Sequence, residues 1–351
     1  MLHCSLADML TCKCSQKTAA ACSRTRTVTT TTVTPSPSPA AMPTPLPPAF
    51  MRVIHHKRCG KMKYTRDPLP TADCCMTHLG QLKLLLSEIE FLIPFYGRPD
   101  MYVVYAGAAP GVHVPILAEM FSTMHFILVD PAPSMISNGK YPNIEVIQGF
   151  MTDELARHFA SRYSSLLLFI SDVRVGCAPG KKESDTVHQL RVKRDMDAQR
   201  GWVEIMRPLS SILKFRLPWS LEGDDGKTEY LGGRIYFPVY GKILTHEARL
   251  IVTRSDDAAA LTFAKYDNKI YEKQMTFFNR VLRPAIYPAF GGNRCYDCTA
   301  FRWIICKYLA VSAGYDVGSG DYKVVDDTCN SIERKLDAYK ALWRSDRKSV
   351  V

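Results

Sequence analysis

Acidic residues are almost missing from the start of this chain: Asp8 is the single acid among residues 1–66, against ten lysines and arginines. That stretch carries +9, so the other 285 residues hold 35 basic and 33 acidic groups, and the formal charge of +11 belongs mostly to an arm. Such arms contact polyanions electrostatically without reading sequence. Long uncharged apolar runs are missing too. Stretches such as 166–170 are far too short to cross a bilayer, which excludes a membrane-spanning helix. The start also lacks the apolar core of a secretory signal, and cysteines such as Cys177 and Cys306 stand alone in apolar or mixed segments. The twelve cysteines therefore point to a reducing compartment rather than a disulfide framework. Cys4, Cys12, Cys14 and Cys22, and the pair Cys295-x-x-Cys298, lack the second pair and nearby histidines that a zinc site needs, so no metal is expected.

What is present reads as one large α/β domain with tails. Residues 27–49 are rich in Thr, Ser and Pro and cannot bury a core; residues 1–60 are expected to be a disordered basic arm. Residues 61–310 form the domain, and 311–351 a C-terminal extension. An amphipathic helix is expected from Gln81, followed by strands at 101–107, 125–130, 143–148 and 166–172 with helices at 112–122 and 153–162 between them. A charged helix at 184–206 precedes further strands at 211–217, 234–239 and 247–254. Near the end, Ile332, Leu336, Tyr339 and Trp343 recur at helical spacing after a cap-like start at Asn330. Strand-helix alternation of this kind implies a mostly parallel sheet with helices on both faces and sites at the carboxyl ends of its strands.

The most informative turn is Tyr105-Ala-Gly107-Ala-Ala-Pro110-Gly111-Val-His113. Gly107 follows a strand and Gly111 opens a helix, so the backbone can approach a ligand where no Cβ intrudes. The spacing is not the Gly-x-Gly-x-x-Gly of dinucleotide folds, which counts against a nicotinamide-dependent oxidoreductase. Asp130 ends the next strand, 23 positions after Gly107, and suits a carboxylate accepting hydrogen bonds from the ribose of a nucleoside. NAD and S-adenosylmethionine both carry such a ribose. A turn and a strand-end acid that merely cap a helix are the plainer alternative.

Four charged residues, Lys83, Asp172, Lys214 and Glu247, lie at separate strand or helix ends. Methyl transfer from a sulfonium to a ribose 2′-hydroxyl needs the oxygen deprotonated or its lone pair aimed. A lysine flanked by cations and partly desolvated can do this, with carboxylates holding it. Their flanks, Gln81-Leu-Lys83, Tyr105-x-Gly-x-Ala-Pro-Gly-x-His113, Ile170-Ser-Asp172-Val-Arg174, Ser211-x-Leu-Lys214-x-Arg-x-Pro218 and Glu247-Ala-Arg-Leu, resemble the poxvirus-type cap-specific mRNA 2′-O-methyltransferase and poly(A) polymerase regulatory subunit family. That family includes the enzymes of trypanosomatid hypermodified caps. The similarity runs from about residue 78 to 305, in the family's order.

The resemblance implies a Rossmann-like S-adenosylmethionine-dependent methyltransferase fold, with Lys83, Asp172, Lys214 and Glu247 as a catalytic tetrad and Lys214 nearest the hydroxyl. It implies a cofactor pocket of Gln81, Tyr105, Gly107, Gly111, His113, Asp130, Met151, Asp172 and Arg174. The sequence departs from the family at Asp130-Pro-Ala132, losing a basic cofactor contact, and at the pair Phe150-Met151. A 7-methylguanine is held between aromatic faces with a carboxylate on its edge; Trp219 and Tyr64 match the rings and Glu272 the acid. Leu221 stands where a second acid is expected, with Glu222 beside it. His188, His246 and Met275 read as structural. The implied partners are m7G-capped mRNA and polyadenylation or capping proteins. The implied location is the nucleus if the chain is cellular, and the cytoplasm or virion if viral. A noncatalytic cap-binding or polyadenylation-accessory subunit is the competing reading.

Overall fold

The run Met101–Ala106 forms β1 and lies almost wholly out of water, as befits a strand covered on both faces. A seven-stranded sheet is built around it. The computed structural model describes residues 46–47, 49–55, 57–65, 67, 77–163, 166–174, 183–219, 225–254 and 261–348. The arm through residue 45, its cysteines, Cys177, Leu221 and Glu222 lie outside the described residues. Strands β2 (Met124–Asp130), β3 (Ile144–Gln148), β4 (Leu167–Ser171) and β5 (Ser210–Phe215) run parallel with β1 in the order β3-β2-β1-β4-β5. A small antiparallel pair, β6 (Lys227–Leu231) with β9 (Phe263–Asp267), stands apart from the sheet. The sheet ends in β8 (Ala248–Thr253), antiparallel to β5, and β7 (Arg234–Tyr236), antiparallel to β8. A hairpin of β10 (Ile286–Ala289) and β11 (Gly292–Cys295) completes the strands.

Helices α1 (Gly80–Leu92), α2 (Val114–Met120), α6 (Tyr296–Ala313) and α7 (Lys323–Lys348) pack with one another. Helices α3 (Asp153–Tyr163) and α4 (Asp185–Met206) form a separate group against β4 and β5, and α5 (Asn268–Phe277) follows β9. This is the α/β, mostly parallel, Rossmann-like architecture expected. Ser184 caps α4 by accepting from the Val187 amide. The terminal helix begins at Lys323, upstream of the expected start at Asn330, because Val325 and Cys329 continue the buried stripe of Ile332 and Leu336. Helices α5 and α6 were not anticipated. Apolar side chains are spread around most of α6 and only isolated charges interrupt them, so no amphipathic period marks it.

Ordered packing reaches back before residue 60, into the stretch expected to be arm. Val53 bridges Tyr236, Ile54 and Cys59 are buried, and Arg52 reaches Glu90 at 2.7 Å and the Phe237 carbonyl at 2.8 Å. Glu90 also receives Lys307 at 3.0 Å. Burial opposes its ionisation, yet these two cations hold it at about 2. One of the arm's basic residues is thus a core counter-ion. Cys295 is the N-cap residue of α6, and the Tyr240 hydroxyl donates to Cys298 at 3.5 Å.

The most deeply buried ion pair ties α6 to the segment before β8. Arg283 and Asp297 meet at 2.9 Å, both side chains 0% exposed. Arg283 also donates to the Gly241 and Lys242 carbonyls, at 2.6 and 3.1 Å, while Asp297 accepts from the Tyr240 amide at 2.8 Å. Removing one partner strands the other charge without solvent. Asp297→Ala should therefore cost about 3–5 kcal/mol of stability, read as a lower midpoint in urea; an unchanged midpoint would show that the pair is dispensable.

Candidate active site

The turn after β1 is shaped by a close approach. At Gly107 φ is +81°, and a Cβ there would lie 2.9 Å from the Val173 nitrogen and 3.0 Å from the Asp172 carbonyl carbon. Only glycine lets the turn lie against the end of β4. Gly111 likewise has φ of +70°. Asp130, at the end of β2, accepts from Ala109 N of this turn at 3.0 Å with one oxygen and from Ala132 N, two residues after itself, at 2.8 Å with the other. The plainer role considered for Asp130, holding backbone, is thus present, and each oxygen retains a further lone pair. The Gly149 amide donates to the Asp130 carbonyl at 3.0 Å. Beyond it Met151 is buried, whereas Phe150 projects its ring into solvent at 74% exposure.

Three residues expected in the cofactor pocket form a buried polar chain beneath the turn. Gln81 Oε1 lies 2.9 Å from His113 Nδ1, His113 Nε2 lies 2.9 Å from Glu88 Oε2, and the Tyr105 hydroxyl donates to Glu88 Oε1 at 2.7 Å. Tyr105 and His113 are fully enclosed, so their side chains brace the turn from below rather than face open space. Burial, then the Glu88 and Asp172 charges, push the Tyr105 phenol well above its ordinary range. Glu88 was not singled out, since an acid on an amphipathic helix reads as solvated. Arg174 reaches Asp195 on α4 at 3.5 Å.

The four expected tetrad residues do converge, at the carboxyl ends of β4 and β5. Lys83, in the first turn of α1, meets Glu247 at 2.6 Å; Lys214 lies 3.3 Å from Asp172 and 3.7 Å from Glu247. Arg249 joins them, 2.7 Å from Asp172 and 3.4 Å from Glu247. Lys214 on β5 is paired with Arg249 on β8, so both project on one face, and Glu247, two residues earlier, shares it. That alternation was the available signal for Arg249, which was quoted in a motif but given no role. Burial and the Arg249 charge lower the Lys83 ammonium, against the pull of Glu247 and Asp172. Burial disfavours ionised Glu247, but Arg249, Lys83 and Lys214 together hold it below the ordinary carboxylate range.

Beside this cluster, Tyr64 and Trp219 come together with ring centroids 6.2 Å apart and planes at 50°. His246, expected to be structural, lies 5.3 Å from Tyr64 and 6.3 Å from Trp219. Arg216 lies over the Trp219 ring at 5.6 Å. The segment carrying Tyr64 is held along α5 by Met62 N donating to Lys273 O at 3.0 Å. Its neighbour on α5, half-buried Glu272, is therefore on the element that borders the rings.

A glycine turn closing the first strand, a carboxylate ending the second and a doubly wound sheet define a Rossmann-like fold of the nucleotide-binding class. Within that class, the chain belongs to the poly A polymerase regulatory subunit family, whose sequence pattern matches residues 52–322. A cap-specific mRNA (nucleoside-2'-O-)-methyltransferase from Myxoma virus (strain Lausanne) is 29% identical over 251 residues, covering 68% of this chain and 71% of its own. The protein of the same name from Fowlpox virus (strain NVSL) is 26% identical over 234 residues, 62% of this chain and 72% of its own. A putative ribosomal RNA methyltransferase structure from Plasmodium falciparum overlaps 38% of this chain and 76% of its own at 16% identity, with a TM-score of 0.30, too loose to add to the argument.

Burial and the neighbouring Arg216 push His246 from the ordinary 6.5 down to about 4. Between those values the unfolded chain binds a proton at this ring and the folded chain does not, so stability falls as pH drops through the window and recovers as pH rises. His246→Phe should remove that dependence. The wild type minus variant difference in unfolding free energy should slope by up to one proton between pH 6.5 and 4; parallel curves would mean the ring is open to water.

Proposed function

We propose that this protein transfers a methyl group from S-adenosylmethionine to the ribose 2′-hydroxyl of a nucleotide near the 5′ cap of mRNA. The observation that carries the reading is the convergence of Lys83, Asp172, Lys214 and Glu247 at the strand ends, next to the glycine turn. The names of the viral relatives support the same substrate and position.

The residues present fit a nucleoside cofactor. At Gly107 the bare backbone lets the turn close onto the end of β4, Asp130 has acceptor capacity for ribose hydroxyls, and the exposed Phe150 ring offers a face for a base. Gly111, Met151 and Arg174 border the same strand ends, with Gln81, Tyr105 and His113 bracing them. S-adenosylmethionine supplies an electrophilic methyl group on a sulfonium. Lys214, between Asp172 and Glu247, orients the ribose hydroxyl and takes its proton. Lys83 and Arg249 fix the two carboxylates and add positive charge where oxygen charge develops. Tyr64 and Trp219 hold the methylated guanine of the cap, and Glu272 accepts from its edge.

A second role as an accessory to poly(A) addition is favoured by the family description. It needs none of the tetrad, and an enzyme can fill both roles. Stimulation of a poly(A) polymerase by a methylation-dead variant would separate them.

Lys214→Ala should lower single-turnover methylation of capped RNA by about a hundredfold or more, with S-adenosylmethionine affinity by calorimetry unchanged. Substantial turnover in this variant would remove Lys214 from the chemistry. Trp219→Ala should reduce the preference for m7G-capped over unmethylated G-capped RNA by about tenfold, because only the methylated base adds a cation–π component to stacking. Equal losses on both caps would return Trp219 to a packing role.

A further inference from the structure

The cluster of Tyr64, Trp219 and His246 holds two polar atoms, Trp219 Nε1 and His246 Nε2, that are shut off from water without a hydrogen-bond partner among the described residues. Enclosed polar atoms of this kind are rare, and a ligand that supplies the partner accounts for them. The backbone that carries the histidine is pinned on both sides. Its carbonyl accepts from the Tyr271 hydroxyl at 2.5 Å, the preceding Thr245 carbonyl accepts from Asn279 at 2.7 Å, and the following Glu247 amide donates to Thr245 Oγ1 at 3.0 Å.

The rings of Tyr64 and Trp219 stand 6.2 Å apart with their planes at 50°. A base between two faces needs roughly 7–8 Å, twice the usual carbon–carbon contact distance, so a base is held there once the rings turn toward parallel and part by about an ångström. His246 meets Trp219 edge-on, at 85°, and therefore closes the side of that slot, where the edge of a base rather than its face would arrive.

We propose that His246 determines base specificity in the cap pocket, its Nε2 accepting a hydrogen bond from the exocyclic amino group of the methylated guanine while its ring walls the slot beside Tyr64 and Trp219. The inference rests on the cap-binding reading above. A neutral imidazole suits the task, since it accepts a hydrogen bond and places no charge against a cationic base. Burial and Arg216 keep this imidazole neutral.

The test is a binding titration of the full chain with m7GpppG and with m7IpppG, which lacks the amino group. His246→Phe keeps a ring and removes the acceptor; it should weaken m7GpppG about three- to tenfold, the range of one net hydrogen bond, and leave m7IpppG nearly unchanged. His246→Gln, whose amide oxygen also accepts, should restore part of the guanine preference. S-adenosylmethionine affinity should match the wild type in both variants. Unaltered m7GpppG binding in His246→Phe, or equal losses on both caps, would overturn the proposal. If Trp219→Ala still weakens the cap in that case, the pocket stands and only the histidine's role fails; if Trp219→Ala has no effect either, the cap-binding reading itself fails.

Discussion

Arg249 is the constraint on which the site depends. Its guanidinium is buried against two carboxylates, Asp172 from the end of β4 and Glu247 from the start of β8, and a buried charge without partners is among the costliest features a fold can hold. The pairing therefore locks the antiparallel end of the sheet to its parallel half. Once both carboxylates are fixed, Lys83 and Lys214 have one place to go. Lys83 and Arg249 balance the two acids, so under the proposed function the cluster turns net positive only as Lys214 takes the hydroxyl proton, which is when charge develops on the oxygen.

A second buried polar system lies directly beneath. Glu88 gathers His113 and Tyr105, and His113 passes the connection to Gln81. Gln81 and Lys83 sit two residues apart in the first turn of α1, so one helix end carries both the brace of the glycine turn and a member of the ionic cluster. Under the proposed function, α1 therefore couples the cofactor side of the site to the hydroxyl side.

Much of this was legible in the sequence, because buried parallel strands write themselves as short apolar runs and glycine turns have few alternatives. Seven strands and the first four helices fall where periodicity puts them, within the usual uncertainty of element ends. The four charged residues were legible only through their flanking motifs; nothing in the spacing of Lys83 and Glu247 says that they touch. What escaped follows a pattern. Helix α6 hides because its apolar residues are spread around it without an amphipathic period, Arg249 because a lone arginine in a strand reads as exposed, and Glu88 because its partners come from other elements. The place of His246 beside Tyr64 and Trp219 was not legible either, because those neighbours lie 182 and 27 residues away and only the folded chain brings them to it.

The pinned segment from Thr245 to Glu247 joins two tasks by covalent geometry. His246 faces the aromatic slot and Glu247 faces the ionic cluster, and consecutive Cα atoms are about 3.8 Å apart whatever the rest of the protein does. Under the proposed function, one short segment, anchored by Tyr271 and Asn279, holds a wall of the base slot and a member of the reacting cluster in fixed relation. On that reading, the distance between the cap slot and the ionic cluster sets which nucleotide along the RNA is modified.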